Sequence, residues 1–384
     1  MNRWPTKPLG EVCELINGRA FKPNEWQDAG LPIIRIQNLN DSTKPFNYTT
    51  QALPEKFRVK QGDTLLSWSG TPGTSFGCFR WNGPEGWLNQ HIFNVRLRVE
   101  VLPAFFIHQV NSKLSELIGK AHGGVGLQHI TKGALSSVKI AVPPLAEQER
   151  IVKLLDEADE LRKLRSQADR RTFDLIPALF HEMFGGSHFK PACVEELTSL
   201  VTSGSTPRGG DEVYVDEGPY FIRSQNVQMN RLDLSDAACL TPEMHKQMAR
   251  TKVATGDVLL NITGASIGRV AWAHKLEREA NVSQHVCLIR PKPDLLNPAY
   301  LSVFISLSTS QRLILQIQAG ASRQALNHQQ VRAIEIPLPP LSLQEEFASR
   351  GAEIRKLEAK QAASRERLDA LFQSMLHRAF RGEL

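Results

Sequence analysis

At 384 residues the chain exceeds what one domain of about 100–200 residues needs, and its 41% hydrophobic and 22% charged content excludes both a minimal module and a disordered tail. No run of about 18 apolar residues is present and Met1-Asn2-Arg3-Trp4-Pro5 lacks the basic-then-apolar order of a signal peptide, so a soluble, cytoplasmic protein with no membrane partner is expected. Five scattered cysteines without Cys-x-x-Cys argue against a disulfide framework or a zinc site, and a net charge of +6 admits an anionic partner without requiring one.

In chain order, residues 1–145 alternate short apolar, β-branched stretches (31–36, 93–99, 138–142) with Gly, Pro, Asn and Asp, the texture of strands and turns. After Pro143-Pro144 the texture changes. Ile151, Leu154, Ala158, Leu161, Ala168, Leu175 and Leu179 recur at steps of three and four, predicting a long helix over 146–185 that Pro177 should kink near its end. Residues 186–341 return to strand-like texture, and 342–384 again read as a helix through Phe347, Ile354, Leu357, Leu368, Leu371 and Met375. Ser342-Leu343-Gln344-Glu345 has capping-box spacing, and Gly185-Gly186 and Gly382 stand just past the last apolar residues.

The second half repeats the first. Ile34-Arg35-Ile36-Gln37-Asn38 returns as Ile222-Arg223-Ser224-Gln225-Asn226, Gly62-Asp63 as Gly256-Asp257, Gln90-His91 as Gln284-His285, and Pro143-Pro144-Leu145 as Pro339-Pro340-Leu341. Order is kept while the offset drifts from 188 to 196, so only loop lengths differ. A repeat this long is a domain plus a helix, not a solenoid unit. A helix of nearly 40 residues is roughly 55–60 Å long and needs a partner. The matched stripes predict an antiparallel coiled coil, with polar Arg165 and Gln361 interrupting both seams. The basic excess lies in residues 1–145, with 16 Lys/Arg against 10 Asp/Glu, which makes the helices spacers or protein-binding surfaces.

Catalytic constellations are missing. There is no phosphate-binding loop, His-Glu-x-x-His or Gly-x-Ser-x-Gly, and Val142 and Leu338 precede the Pro-Pro pairs where an amino-methyltransferase motif needs a polar side chain.

Two variable domains each followed by a long helix, the joints Val142-Pro143-Pro144-Leu145-Ala146-Glu147-Gln148-Glu149 and Leu338-Pro339-Pro340-Leu341-Ser342-Leu343-Gln344-Glu345, and the ending Ala379-Phe380-Arg381-Gly382-Glu383-Leu384 resemble the specificity subunit of type I restriction-modification systems over essentially the whole chain. The resemblance implies an α+β protein with an internal pseudo-twofold repeat: target recognition domains at 1–145 and 186–341, helical spacers at 146–185 and 342–384. It implies a non-catalytic DNA reader. Each domain would read one half of a bipartite, asymmetric site on double-stranded DNA, and the coiled coil would set the spacing and dock two modification (methyltransferase) subunits, joined by restriction (translocase and nuclease) subunits. No cofactor or metal is expected on this chain; S-adenosylmethionine, ATP and Mg would belong to the partners. Leu343 replaces Glu147 of the first joint, so the two joints are not expected to bind partners equally.

Candidate DNA contacts follow from side-chain chemistry. Arg35, Gln37, Asn38 and Arg223, Gln225, Asn226 carry groups suited to guanine and adenine edges, although their presence in both copies favours phosphate positioning, or a structural polar cluster, over base reading. Gln90, His91, Gln284 and His285 face the same choice. Hydroxyl- and Gly-rich loops contribute Ser67, Ser69, Gly70, Thr71 and Thr74 in one copy and Asn261, Thr263, Ser266 and Arg269 in the other; Lys120, Arg323 and Gln324 lie in similar loops. Gln148, Glu149, Arg150, Gln344 and Glu345 are the candidates for partner binding. The competing classes are a stand-alone nucleic-acid-modifying enzyme and an adaptor binding two proteins; a methylation-only complex is the nearest variation.

Overall fold

Strand Ile92–Leu97 lies inside an antiparallel sheet ordered Cys13–Asn17, Ile92–Leu97, Thr64–Ser67, Gly77–Arg80. Every residue of Thr64–Ser67 is buried because both faces are covered. Leu66 and Phe93 pack with Phe105, Phe106 and Val110 of helix Pro103–Ser112, while Leu65 and Ile92 point the other way onto Ile34, Val59, Trp81 and Leu88. Those last residues belong largely to a second sheet, ordered Asn47–Thr49, Leu31–Ile34, Gly86–Leu88, Arg58–Val59, whose middle pair is parallel. The computed structural model describes residues 4–41, 43–70, 76–113, 118, 128–207, 213–319 and 325–384.

Residues after Phe184 rebuild the same plan. The antiparallel sheet runs Thr198–Ser203, Val286–Pro291, Val258–Asn261, Val270–Trp272, with Tyr300 and Leu301 of helix Pro298–Ser306 on one face. Leu259 and Leu288 face a second sheet, Ala238–Leu240, Tyr214–Ile222, Ala280–Val282, whose last pair is again parallel. The matched Gly-Asp turns are true equivalents: Gly62 and Gly256 adopt φ of +90° and +94°, which glycine reaches without strain. The following carboxylates then grip the neighbouring strand, Asp63 through Arg96 (3.0 Å) and Asp257 through both Nε (2.7 Å) and Nη2 (2.8 Å) of Arg290.

The joints are locks. Each domain closes with an antiparallel pair, Thr6–Pro8 against Lys139–Ala141 and Pro191–Cys193 against Glu335–Pro337, before the prolines end the ladder. Four residues into the helix, a wholly buried glutamine turns back. Gln148 accepts from Leu102 N–H (2.8 Å) and donates to the Glu100 and Pro143 carbonyls (both 2.9 Å). Gln344 does the same with Asn297 N–H (2.8 Å), Leu295 (3.2 Å) and Pro339 (2.9 Å). This explains why Gln recurs in both joint motifs.

The first helix runs Leu145–Phe173, breaks at Asp174, and resumes as Leu175–Phe184. The break follows from Pro177, whose ring cannot pass the carbonyl four residues back, at Phe173. The last helix, Leu341–Arg381, is unbroken. It ends in a Schellman motif: Gly382, at φ +75°, donates to Ala379 (3.1 Å) and Glu383 to Arg378 (2.9 Å). Gly185, by contrast, stays right-handed. The expected capping box does not form; Ser342 lies inside the helix, and the Pro340 carbonyl receives the first N–H groups.

Two compact units result, Met1–Gln167 with Ala363–Leu384, and Ala168–Ala362, so each long helix contributes to both. Within the first, Ile151 and Leu155 share a core with Phe372, Leu376, Ala379 and Phe380, and Arg162 pairs with Asp369 (2.7 Å) over the Phe372 ring. Arg150 reaches the Leu384 carbonyl (2.7 Å), so the segments run antiparallel. Within the second, Phe180 and Phe184 surround Phe347 and Tyr300, and Glu182 pairs with Arg350. The predicted stripe is one residue out of register mid-helix. Leu161 and Leu371 are 55% and 54% exposed, and Leu175 and Leu357 are exposed too. The less exposed line of the first helix keeps the predicted Ala158 and Arg165 but otherwise passes through Leu155, Arg162, Asp169 and Thr172, the last three being polar positions that a search for apolar residues passes over. No helix among the described residues is long and apolar enough to cross a membrane.

Candidate nucleic-acid interface

Parallel pairing brings the candidate motifs of each domain together. Ile34 pairs with Leu88, so the ends of Leu31–Ile34 and Gly86–Leu88 reach the same sheet edge. One strand continues into Arg35 and the short helix Ile36–Asn40, the other into Asn89-Gln90-His91. Arg35, Gln37, Gln90 and His91 line a cleft of about 340 Å³ with Phe21 and Trp26. The Arg35 guanidinium lies over the Trp26 ring (5.4 Å) and donates to Asn47 Oδ1 (3.1 Å). Gln90 Nε2 is 3.2 Å from His91 Nε2, and the His91 ring lies 5.7 Å from Trp68. Gly18 permits this packing, since a Cβ there would sit 2.1 Å from the Asn89 carbonyl oxygen.

The second domain makes the same edge from Ile222 and Val282. Arg223–Asn226 lie beside Ser283-Gln284-His285, and His285 Nδ1 is 2.6 Å from Thr263 Oγ1. Asn261 donates to the Ser224 carbonyl (2.8 Å) and to Ser266 Oγ (3.2 Å), tying the 261–269 loop to the Arg223 turn, while Arg269 donates to Gln228 (3.1 Å). Gln284 Nε2 is 3.2 Å from His285 Nε2, as in the first copy. Gln225 is exposed and donates to Asp236 (3.1 Å).

Several expected contacts are architectural. Asn38 and Asn226 are buried and build the turns: their Oδ1 atoms accept from Arg35 and Arg223 N–H (3.1 and 3.0 Å), and their Nδ2 atoms donate to the Lys44 and Asp233 carbonyls (both 3.1 Å). Neither side chain can present itself to a base. Ser67, Ser69 and Asn261 are likewise buried within the sheet edge, and Gly70 belongs to a two-residue ladder, Ser69–Gly70 with Gln128–His129. Gln148 and Gln344, expected at a partner surface, are wholly buried joint locks; Glu149, Arg150 and Glu345 are exposed, with Arg150 also paired to Glu147. Thr71, Thr74, Lys120, Arg323 and Gln324 lie outside the described residues.

The sequence reading missed Phe21, Trp26 and Asn47. Two aromatic side chains between Gly18 and Gly30, in a stretch rich in polar and turn residues, were the available signal. Nearby, Glu25 is held below the usual carboxylate range chiefly by the Lys22 N–H, with Arg19 adding to the effect. In the second domain His245 depresses Glu279 in the same direction through a hydrogen bond and its charge. Among the described residues no group of three or more His, Cys, Asp or Glu is placed to hold a metal ion.

Comparison with known proteins agrees with this duplicated plan. A family model described as the type I restriction modification DNA specificity domain matches residues 1–168 and 216–358. The type I restriction enzyme EcoBI specificity subunit of Escherichia coli is 24% identical over 99% of this chain and 86% of its own length. The EcoKI specificity subunit of Escherichia coli K12 is also 24% identical, over 99% and 89%. A crystal structure of a type I restriction-modification S subunit from M. genitalium superposes with a TM-score of 0.58 at 13% identity, covering 98% of this chain and 96% of that one.

Proposed function

From the premise that the chain belongs to the type I restriction-modification DNA specificity family, we propose that its domains at 1–145 and 186–341 each read one half of a split, asymmetric site on double-stranded DNA. The observation that carries this reading is the pair of equivalent sheet edges. Each sets an arginine at the end of a parallel strand beside a Gln-His turn, while the surroundings differ: Trp26 and Asn47 hold Arg35, whereas Arg223 stands beside the 261–269 loop. A shared frame with unlike neighbours suits two readers of unlike sequences.

In this account Arg35, Gln37, Gln90 and His91 face one half-site, and Arg223, Gln225, Thr263, Gln284 and His285 the other. Masking of the Arg35 face by Trp26 suits an orienting contact to backbone or groove more than a free bidentate fork. Antiparallel pairing of the long helices sets the separation, so that half-site spacing is a matter of geometry, as in dimeric DNA readers. Their outer faces, with Glu149, Glu345 and the exposed leucines, dock two modification subunits, and restriction subunits join them. Methyl transfer, translocation and cleavage, with S-adenosylmethionine, ATP and Mg, then reside in those partners.

Footprinting of the chain with modification subunits tests the proposal. Two sequence-dependent protected patches separated by a constant gap are expected. Absence of sequence dependence, or methyl transfer or ATP turnover by this chain alone, contradicts it.

A further inference from the structure

In the first unit a cleft of about 800 Å³ opens where the end of the last helix meets the domain's closing strand pair. Its floor includes Leu376 and Phe380, both largely buried. Four basic side chains border it from three elements: Lys113 at the end of helix Pro103–Ser112, Lys139 on strand Lys139–Ala141, and His377 and Arg381 one turn apart on the last helix. Among the described residues Glu383 is the one carboxylate of the lining. Lys139, His377 and Arg381 are exposed.

The repeat shows which part of this arrangement the fold requires. The equivalents of Leu376 and Phe380 are Phe180 and Phe184, and they pack on helix Pro298–Ser306 as Leu376 and Phe380 pack on Pro103–Ser112. Among the cations only His377 has a like counterpart, His181. The positions of Lys113, Lys139 and Arg381 are taken by Ser308, Glu335 and Gly185. Cations near helix C-termini complement the dipole, which gives Lys113 and Arg381 an ordinary reason to exist. That reason does not cover Lys139, on a strand, nor the second unit, where the helix ending at Phe184 is followed by glycine. The fold is therefore built without these charges, and their convergence on one cleft is a property of the first unit alone.

We propose that this cleft binds an acidic peptide segment of a partner protein, one per chain, which seats an apolar side chain on Leu376 and Phe380 while its carboxylates meet Lys139 and Arg381. The volume is that of a pocket for several residues, not for a single ion. An apolar floor ringed by charge is the anatomy of a protein contact. A duplex would offer phosphates to the rim but nothing to the floor. The inference does not depend on the DNA-reading proposal.

The test uses the purified full-length chain and a fluorescein-labelled peptide of sequence Asp-Glu-Leu-Phe-Glu-Asp, followed by anisotropy. Saturable binding of one peptide per chain is expected, falling with added salt and at least tenfold weaker in K139E/R381E, with the amidated Asn/Gln version of the peptide failing to bind. Absence of binding, two sites per chain, undiminished binding by the variant, or displacement by unlabelled duplex DNA as effective as by unlabelled peptide overturns it. Should K139E/R381E lose its folded circular dichroism, the single variant R381A takes its place, with a threefold or greater loss expected and no loss overturning the proposal. Half-site footprints of the variants with modification subunits separate the two proposals, because a failed cleft leaves protection unchanged.

Discussion

The two domains solve one problem, anchoring the strand next to the Gly-Asp turn, with unequal means. In the second, Asp257 is 1% exposed and takes a two-pronged grip from Arg290. In the first, Asp63 is 12% exposed, receives a single bond from a half-exposed Arg96, and recovers the rest from Asn94 (3.0 Å), which stands where the second domain has Leu288. The joint glutamines, by contrast, repeat atom for atom. Parts that build the frame are thus copied, and parts that only need to hold a place are free to drift, as the proposed reading of two unlike half-sites requires.

The glutamine locks should give the largest effects. Gln148→Ala and Gln344→Ala each strand one N–H and two carbonyls in a buried joint, so each is expected to destabilise its unit by about 2–4 kcal/mol, the two within about 1 kcal/mol of each other by denaturant unfolding. A marked inequality would break the equivalence of the joints. The aspartates should be unequal: Asp257→Asn is expected to cost about 2 kcal/mol, since it weakens a pair with one partner fully buried, and Asp63→Asn less than about 1 kcal/mol. Equal costs would show that the difference in grip has no energetic weight.

The smallest effect concerns pH. Glu279 lies below its unfolded pKa because His245 stabilises the carboxylate, so its contribution is present above the ordinary carboxylate range and lost as pH falls through it. Glu279→Gln should therefore flatten the acid limb of the second unit's thermal midpoint between about pH 5 and 3 and change little at pH 7. A steeper limb in the variant would reverse the sign.

Much of this was legible in the residues. Four ordered matches revealed the duplication, and the Pro-Pro pairs and Pro177 marked the helix starts and the break. What escaped was the part set by three-dimensional context. Asn38, Asn226, Gln148 and Gln344 have side chains that suit recognition as well as they suit capping, and only burial decides between the two. The helix seam was misplaced for a related reason: Leu161 and Leu371 are strong apolar signals on the outer face, while Arg162, paired with Asp369, occupies the inner one. Trp26 and Asn47 meet Arg35 from the turn before its strand and from the strand paired after it, a convergence that no side-chain spacing rule contains.

The most direct measurement exchanges residues 1–145 for the corresponding domain of another specificity subunit and maps methylated bases in cells carrying the complete operon. One half of the modified motif should change, the other half and the gap remaining as before. Change in both halves, or in neither, would contradict the division of reading between the two domains.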